Sequence, residues 1–160
     1  MAIFTAILST LGAIVSYQGG ATQNEAMLYK NEAVLQKSLA SDQWNYYQAK
    51  STKQHLMEMA ANLAPADKQA YYRREAEKYK QEKEAIRLKA ESLEKRYVAA
   101  DQASEAAMHP HHQLAQAMTL IQIAISLASI TALTRTRWLF AVGALAAAAG
   151  TGLWAWAWLG

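Results

Sequence analysis

Residues 21–108 read ATQNEAMLYKNEAVLQKSLASDQWNYYQAKSTKQHLMEMAANLAPADKQAYYRREAEKYKQEKEAIRLKAESLEKRYVAADQASEAAM, and this stretch decides the fold. It holds all 13 acidic residues and 14 of the 16 basic ones, since only Arg135 and Arg137 lie elsewhere. Its net charge is therefore +1, and the flanking segments are apolar and almost uncharged. This contrast predicts a charged segment outside a membrane, held between segments that cross it.

The composition predicts an all-α membrane protein. The chain of 160 residues has only 7 glycines and 2 prolines, which leaves little room for β hairpins. With 0 cysteines it has neither a disulfide framework nor a thiolate metal site. The net charge of +3 is spread along helices rather than gathered in a basic patch, so we expect no nucleic-acid partner.

Three apolar segments predict transmembrane helices at residues 1–18, 114–134 and 138–159. The first is short for a span, because about 20 apolar residues cross the hydrocarbon core. A cleaved signal peptide is the alternative, but Met1-Ala2 lacks a basic side chain, and a retained span is favoured. The third segment carries small residues suited to close helix contact, namely Gly143, Ala147 and Gly150.

The residues beside the last two spans predict an orientation. Arg135-Thr136-Arg137 is the only short basic loop, so the positive-inside rule places it in the cytoplasm. Three spans then put the charged segment outside, in the periplasm, with the protein in a bacterial inner membrane. Trp154, Trp156 and Trp158 favour an interfacial aromatic belt, and a contact between protomers stays open.

The charged segment itself predicts two antiparallel helices, 21–63 and 65–108, that form a coiled-coil hairpin between the first and second spans. Gly19-Gly20 and the capping-box pattern Thr22-x-x-Glu25 predict a helix start, and Pro65 predicts the turn between the two helices. The heptad seam predicted for the first helix is Leu28, Glu32, Leu35, Leu39, Asp42, Tyr46, Ala49, Lys53, Leu56, Ala60 and Leu63. The seam predicted for the second is Tyr72, Ala76, Tyr79, Lys83, Ile86, Ala90, Leu93, Tyr97, Ala100, Ser104 and Ala107.

The segment from Asn31 to His55, with its core SDQWNYYQAKS at residues 41–51, is more distinctive than its heptads require. It resembles a bacterial membrane-protein family catalogued as domain of unknown function 4337. The resemblance covers essentially the whole chain and implies a membrane protein without supplying an activity.

Six residues of this core are predicted to contact another copy of the chain or a partner: Asp42, Trp44, Tyr47, Gln48, Lys50 and Ser51. Trp44, Tyr47 and Ser51 recur at steps of three and four, hence on one helical face. Tryptophan and tyrosine are frequent interface anchors, which favours an oligomer contact. The alternative is extra packing of this face against the second helix.

Two further groups of residues could carry chemistry. His109, His111 and His112 are weak candidates for a metal or pH-sensing site, and we expect them to form a connector that closes the hairpin. The uncharged stripe of Gln122, Ser126 and Ser129 predicts either helix packing or a pore lining.

These observations favour a structural or scaffolding protein over an enzyme. No span carries a charged side chain, which argues against a proton relay, and the chain has no phosphate loop or nucleophile elbow. We expect a homo-oligomer in the lipid bilayer, without a cofactor or a small-molecule substrate. The alternative is a channel or transport accessory whose pore is lined by the polar stripe.

Overall fold

A computed structural model of the chain describes residues 2–159, apart from the side chains of residues 158 and 159. It consists of three helices, α1 (Ala2–Leu63), α2 (Ala66–Thr134) and α3 (Arg137–Leu159). No described residue lies in a strand, so the prediction of an all-α fold is confirmed. Each helix contains a stretch that is long and apolar enough to cross a membrane.

The two turns between the helices lie where the sequence predicts them. α1 ends at Leu63, and the side-chain amide of Gln69 donates to the Ala64 carbonyl, 3.0 Å away. Pro65 immediately precedes α2, a place where its missing N–H costs no helical hydrogen bond. At the second turn Arg135 has a φ of 55°, the left-handed conformation that commonly ends a helix.

Two predicted helix breaks are wrong: α1 runs through Gly19-Gly20, and α2 runs through Pro110, which lies within the connector predicted at His109, His111 and His112. Thr22 does not cap a new helix: its hydroxyl donates to the Gly19 carbonyl inside α1, at 3.0 Å. Gly19 is buried against α2, where a Cβ on it would lie 3.6 Å from the Leu114 Cβ. Glycine here allows close packing of two helices instead of ending one.

The chain divides into two compact units. The three-helix unit comprises Met1–Leu28 and Ala103–Gly160, and the two-helix unit comprises Tyr29–Gln102. In the three-helix unit, the predicted small-residue face of α3 packs closely on α2: a Cβ on Gly150 would lie 3.0 Å from the Ala117 carbonyl oxygen. The buried core of this unit is Leu8, Val15, Leu114, Ala117, Ile121, Ala124 and Ala147.

The two-helix unit is an antiparallel pair. Lys30 of α1 contacts Asp101 of α2, whereas Lys50 contacts Glu82, so the contacts run in opposite directions along the two helices. On α2 the predicted seam faces α1, with its largest aliphatic members buried at Ile86 and Leu93.

On α1 the predicted seam is wrong, because its large side chains are exposed. Leu63 is 80% exposed, Leu56 52% and Leu35 51%. The buried positions of the face that packs on α2 are instead alanine and glutamine, which recur at multiples of seven residues or close to them. Small side chains on α1 make room for the bulky tyrosine, isoleucine and leucine side chains of α2, so the helices can approach closely. The buried positions of this face are Ala33, Gln36, Ala40, Gln54 and Ala61.

Candidate functional site

Trp44, in the most distinctive segment of the sequence, faces α2. Its indole Nε1 donates to Glu94 Oε1 at 2.9 Å. Its ring meets the edge of Tyr47, with the ring centroids 5.6 Å apart and an angle of 81° between the planes. The centroid of the Tyr47 ring lies 5.6 Å from the ammonium nitrogen of Lys83, which is also on α2. Both aromatic side chains therefore link the two helices of the two-helix unit.

Lys50 makes a further polar link between this segment and α2. Its Nζ lies 2.5 Å from Glu82 Oε2 and about equally far, at 5.4 and 5.2 Å, from the ring centroids of Tyr46 and Tyr79. A cation held over aromatic faces is attracted by the ring quadrupole. The hydrogen bond that Lys50 donates to Glu82 raises the pKa of Lys50 and lowers the pKa of Glu82. The ammonium and the carboxylate thus hold each other charged.

The other three predicted contact residues do not reach α2 in this way. Asp42 and Gln48 are exposed, and Ser51 Oγ lies 3.5 Å from His55 Nε2 on its own helix. The segment is therefore split. Trp44, Tyr47 and Lys50 pack against α2, as the alternative interpretation expected, while Asp42 and Gln48 face outwards. A contact of these residues with another copy stays a prediction.

Two buried glutamines, Gln36 and Gln54, lie on the face of α1 that packs on α2, and neither was predicted from the sequence. Gln36 Nε2 donates to Glu32 Oε1 at 2.7 Å, and Gln54 Nε2 donates to Glu58 Oε1 at 2.7 Å. Each side-chain carbonyl oxygen is buried without a hydrogen-bond partner among the described residues. Hydrophobic periodicity does not detect such positions, because it scores only apolar residues. Their spacing of 18 residues, five helical turns, is the signal that could have found them.

The histidines do not converge on a metal site. His111 Nδ1 lies 2.8 Å from the Gly19 carbonyl oxygen, to which it donates, whereas His109 and His112 are exposed. Within the described part of the chain, no group of three histidine, aspartate or glutamate side chains is placed to hold a metal ion. The hydrogen bond from His111 instead ties α2 to α1 in the three-helix unit.

The uncharged polar stripe of α2 lies on the outside of the three-helix unit. Gln122, Ser126 and Ser129 are all exposed. Ser126 and Ser129 donate to the carbonyls of Gln122 and Ile125 at 2.9 Å, so their hydroxyls are satisfied within α2. The Gln122 carboxamide makes no hydrogen bond to a described side chain. A neighbouring molecule is needed to satisfy it wherever water is absent.

The predicted membrane-interface residues lie at the two ends of α3. Arg135 and Arg137 are exposed at the turn before it. Near its other end, Trp154 Nε1 donates to Gln18 Oε1 of α1 at 2.7 Å, and Trp156 is 68% exposed. The side chain of Trp158 lies outside the described residues.

A comparison with protein families identifies one match over the whole chain. The model of a family described as "Domain of unknown function (DUF4337)" matches residues 1–160. No curated protein and no solved structure matches the chain. The geometry of the residues must therefore supply the functional interpretation.

Proposed function

The chain belongs to the DUF4337 family over its whole length, and we propose that it is a structural membrane protein that assembles copies of itself into a homo-oligomer. The observation that carries this proposal is the exposure of the leucine and tyrosine side chains of α1 outside its N-terminal apolar stretch. Leu35, Leu39, Tyr46, Leu56 and Leu63 are 40–80% exposed. The proposal assigns the chain no catalytic activity, cofactor, small-molecule substrate or nucleic acid.

Anchoring in a membrane is supported by the three apolar stretches. None of them carries an acidic or basic side chain, and the second and third, at 21 and 22 residues, match the thickness of a bilayer. We propose a bacterial inner membrane, with the turn at Arg135–Arg137 in the cytoplasm and the two-helix unit in the periplasm. Labelling a Lys68→Cys variant in intact cells with an impermeant thiol reagent tests this orientation. Protection of that thiol would contradict it.

Self-assembly is supported by the cost of leaving the α1 side chains in water. Each Å² of apolar surface removed from water contributes about 25 cal/mol, and soluble surfaces rarely expose long contiguous apolar stripes. These side chains recur at heptad spacing, the pattern with which helices pack side by side. We therefore propose that α1 and α2 form a coiled-coil hairpin whose second face packs on another protomer.

Mass measurement of the detergent-solubilised full chain tests this function. We expect a defined oligomer. Leu39→Glu should shift it towards monomer, because it places a charge within the exposed stripe of leucine and tyrosine side chains. Val34→Glu is the matched control, since Val34 is also exposed, at 61%, but lies off the stripe. A monomeric wild-type chain at every detergent ratio would contradict the proposed function.

A channel or transport accessory is the second candidate, and the outward stripe of Gln122, Ser126 and Ser129 favours it. An unpaired amide is costly in hydrocarbon, so the stripe should face a neighbouring copy or water. A ring of copies with these stripes turned towards a common axis would enclose an uncharged polar pore. Ion flux into vesicles that contain the purified chain separates the candidates. Flux abolished by Gln122→Leu with the oligomer retained supports the channel, and no flux from an intact oligomer supports the scaffold.

A further inference from the structure

We propose that α2 pairs inside the membrane with α2 of a second copy, through the polar stripe of Gln122, Ser126 and Ser129. In this pair the two helices are parallel, and the two Gln122 carboxamides bind each other. The inference rests on the proposed self-assembly and adds a contact within the bilayer. It commits the polar stripe to a neighbouring copy rather than to water.

Gln122 is the member of the polar stripe whose hydrogen-bonding groups are unmet. Its side chain is exposed, and no described residue donates to its carboxamide or accepts from it. The hydroxyls of Ser126 and Ser129, by contrast, donate to carbonyls of α2 at 2.9 Å. Gln122 lies eight residues after Leu114, about 12 Å into the apolar stretch, farther than a glutamine side chain reaches. An amide without a partner is costly in hydrocarbon, so Gln122 needs a partner from outside its own chain.

The face of α2 around Gln122 has the spacing and the small side chains of a helix contact. Its residues follow one another at alternating steps of four and three, the spacing with which two helices pack side by side. All of them are exposed, and none is charged, so the face can meet its own equivalent without repulsion between like charges. Four of the six are alanine, serine or threonine, which let helices approach closely in lipid. These residues are Ala115, Thr119, Gln122, Ser126, Ser129 and Leu133.

The membrane fixes how two such faces can meet. Copies that insert into one bilayer in the same orientation are related by a rotation about the membrane normal. Their α2 helices are then parallel, and equivalent residues lie at the same depth. A two-fold axis between two polar stripes therefore brings Gln122 of one copy opposite Gln122 of the other. The same rotation keeps the α1 helices of both copies running in one direction, as their common anchoring requires.

A second Gln122 matches the first in hydrogen-bonding groups. A carboxamide has two N–H donors and an acceptor oxygen, so each Nε2 can donate to the Oε1 of the other copy. Other surfaces of the chain match less well. The exposed side chains of α3 between Phe140 and Ala155 are all apolar. On the apolar stretch of α1, Ser9 and Thr10 are exposed hydroxyls, and Thr10 already donates to a carbonyl within α1 at 3.1 Å. The fitting partner is therefore α2 of a second copy.

Disulfide cross-linking of the full chain in lipid vesicles tests this contact, since the protein has no cysteine of its own. We expect the single variants Ser126→Cys and Ser129→Cys each to form a covalent dimer on oxidation. At the contact positions of a parallel pair, equivalent Cα atoms lie within the roughly 7 Å that a disulfide can span. Ile123→Cys is the control and should stay uncross-linked. Ile123 is 45% exposed and follows Gln122 directly, but it points about 80° away from the centre of the stripe.

Substitution of Gln122 gives an independent readout. Energy transfer between labelled chains, diluted in lipid, measures the pairing of α2 in a Leu39→Glu background that weakens the proposed α1 contact. Gln122→Leu should raise the apparent dissociation constant about tenfold, because it removes two hydrogen bonds between helices. Gln122→Asn keeps the carboxamide and should stay close to the parent value. Gln116→Leu is the matched control, since Gln116 is also exposed but lies only about 3 Å into the apolar stretch, within reach of water. Equal effects of Gln116→Leu and Gln122→Leu would contradict the inference.

The outcomes separate this inference from the proposed function. An intact oligomer in which neither Ser126→Cys nor Ser129→Cys cross-links would overturn the inference, although the proposed function would stand. So would a covalent dimer that Ser126→Cys forms only with Ser9→Cys chains, because α1 of the neighbour would then cover the stripe. Reaction of Ser126→Cys with a water-soluble thiol reagent, without cross-linking, would show that the stripe faces water and would also overturn it. A monomeric wild-type chain would overturn both.

Discussion

Replacing Gly150 by alanine should destabilise the three-helix unit, although alanine is the better helix former. A Cβ on residue 150 would lie 3.0 Å from the Ala117 carbonyl oxygen, 3.0 Å from Ile121 Cγ1 and 3.1 Å from Leu120 Cβ. Ala117 and Ile121 are fully buried, so neither can move aside without disturbing the core. Helices α2 and α3 must therefore separate to admit the methyl group.

Two opposing terms set the size of this effect. Overpacking a close contact costs about 1–3 kcal/mol. Alanine is favoured over glycine inside a helix by about 1 kcal/mol. The Gly150→Ala variant should thus lose about 1 kcal/mol net. The matched control is Gly152→Ala, because a Cβ on Gly152 meets nothing within 4 Å. That variant keeps the gain in helix preference and should be stabilised by up to about 1 kcal/mol.

Unfolding of the full chain in mixed micelles, followed by tryptophan fluorescence, measures both variants against the wild type. Trp154 lies one helical turn from Gly150 and is hydrogen-bonded to α1, so its emission should report loss of this packing. We expect the two midpoints to move in opposite directions. Equal shifts in the same direction would refute the close contact between α2 and α3.

Three further perturbations test the two-helix and three-helix units. Trp44→Phe removes the hydrogen-bond donor to Glu94 and should lower the free energy of unfolding, measured by chemical denaturation, by about 1 kcal/mol. The oligomeric mass should stay unchanged. Dissociation of the oligomer would instead mean that Trp44 lies between copies. The Lys50–Glu82 pair should stabilise the fold between its two titrations. Because the pKa of Glu82 is lowered, its contribution should be present above pH 4.5 and be lost as the pH falls through the lowered value. Because the pKa of Lys50 is raised, its contribution should be present below pH 10.5 and be lost as the pH rises through the raised value. If the thermal midpoint of the wild-type chain varied with pH in the same way as that of the Glu82→Gln variant, this prediction would be contradicted. His111→Phe removes the hydrogen bond to α1 and should lower the thermal midpoint of the three-helix unit, whereas exposed His112→Phe should not; equal midpoints would show that the hydrogen bond contributes nothing.

The sequence predicted much of the fold because most of the signals it used are local. Pro65 marked the first turn, and the two arginines around Thr136 marked the second. The side of α2 that packs on α1 was predicted correctly, because large side chains on that side, such as Ile86 and Leu93, are also buried. In these places hydrophobic periodicity and the actual packing coincide.

The seam of α1 was mispredicted because two different faces carry heptad patterns. Periodicity favoured the face with leucines, but α2 packs on the face with Ala33, Ala40 and Ala61. Only the shape of the partner helix decides between them, and no local signal in α1 contains it. The break expected at Gly19 failed for the same reason, since the nearby Leu114 is 95 residues further along the chain.

The candidate site was predicted in part. The shared face of Trp44, Tyr47 and Ser51 follows from helical spacing, and all three are half-buried. Which element this face meets depends on Lys83 and Glu94, charged residues that look like ordinary solvated charges in the sequence. The contact of this face with α2 therefore follows only from the positions of both helices in the structure.

The mass of the detergent-solubilised full chain tests the central claim, self-assembly through the exposed leucine and tyrosine side chains of α1, most directly. The wild-type chain and the Val34→Glu variant should form the same defined oligomer, and Leu39→Glu should shift it towards monomer. That result would establish self-assembly through this row of side chains. A wild-type chain that is monomeric at every detergent ratio would contradict the account.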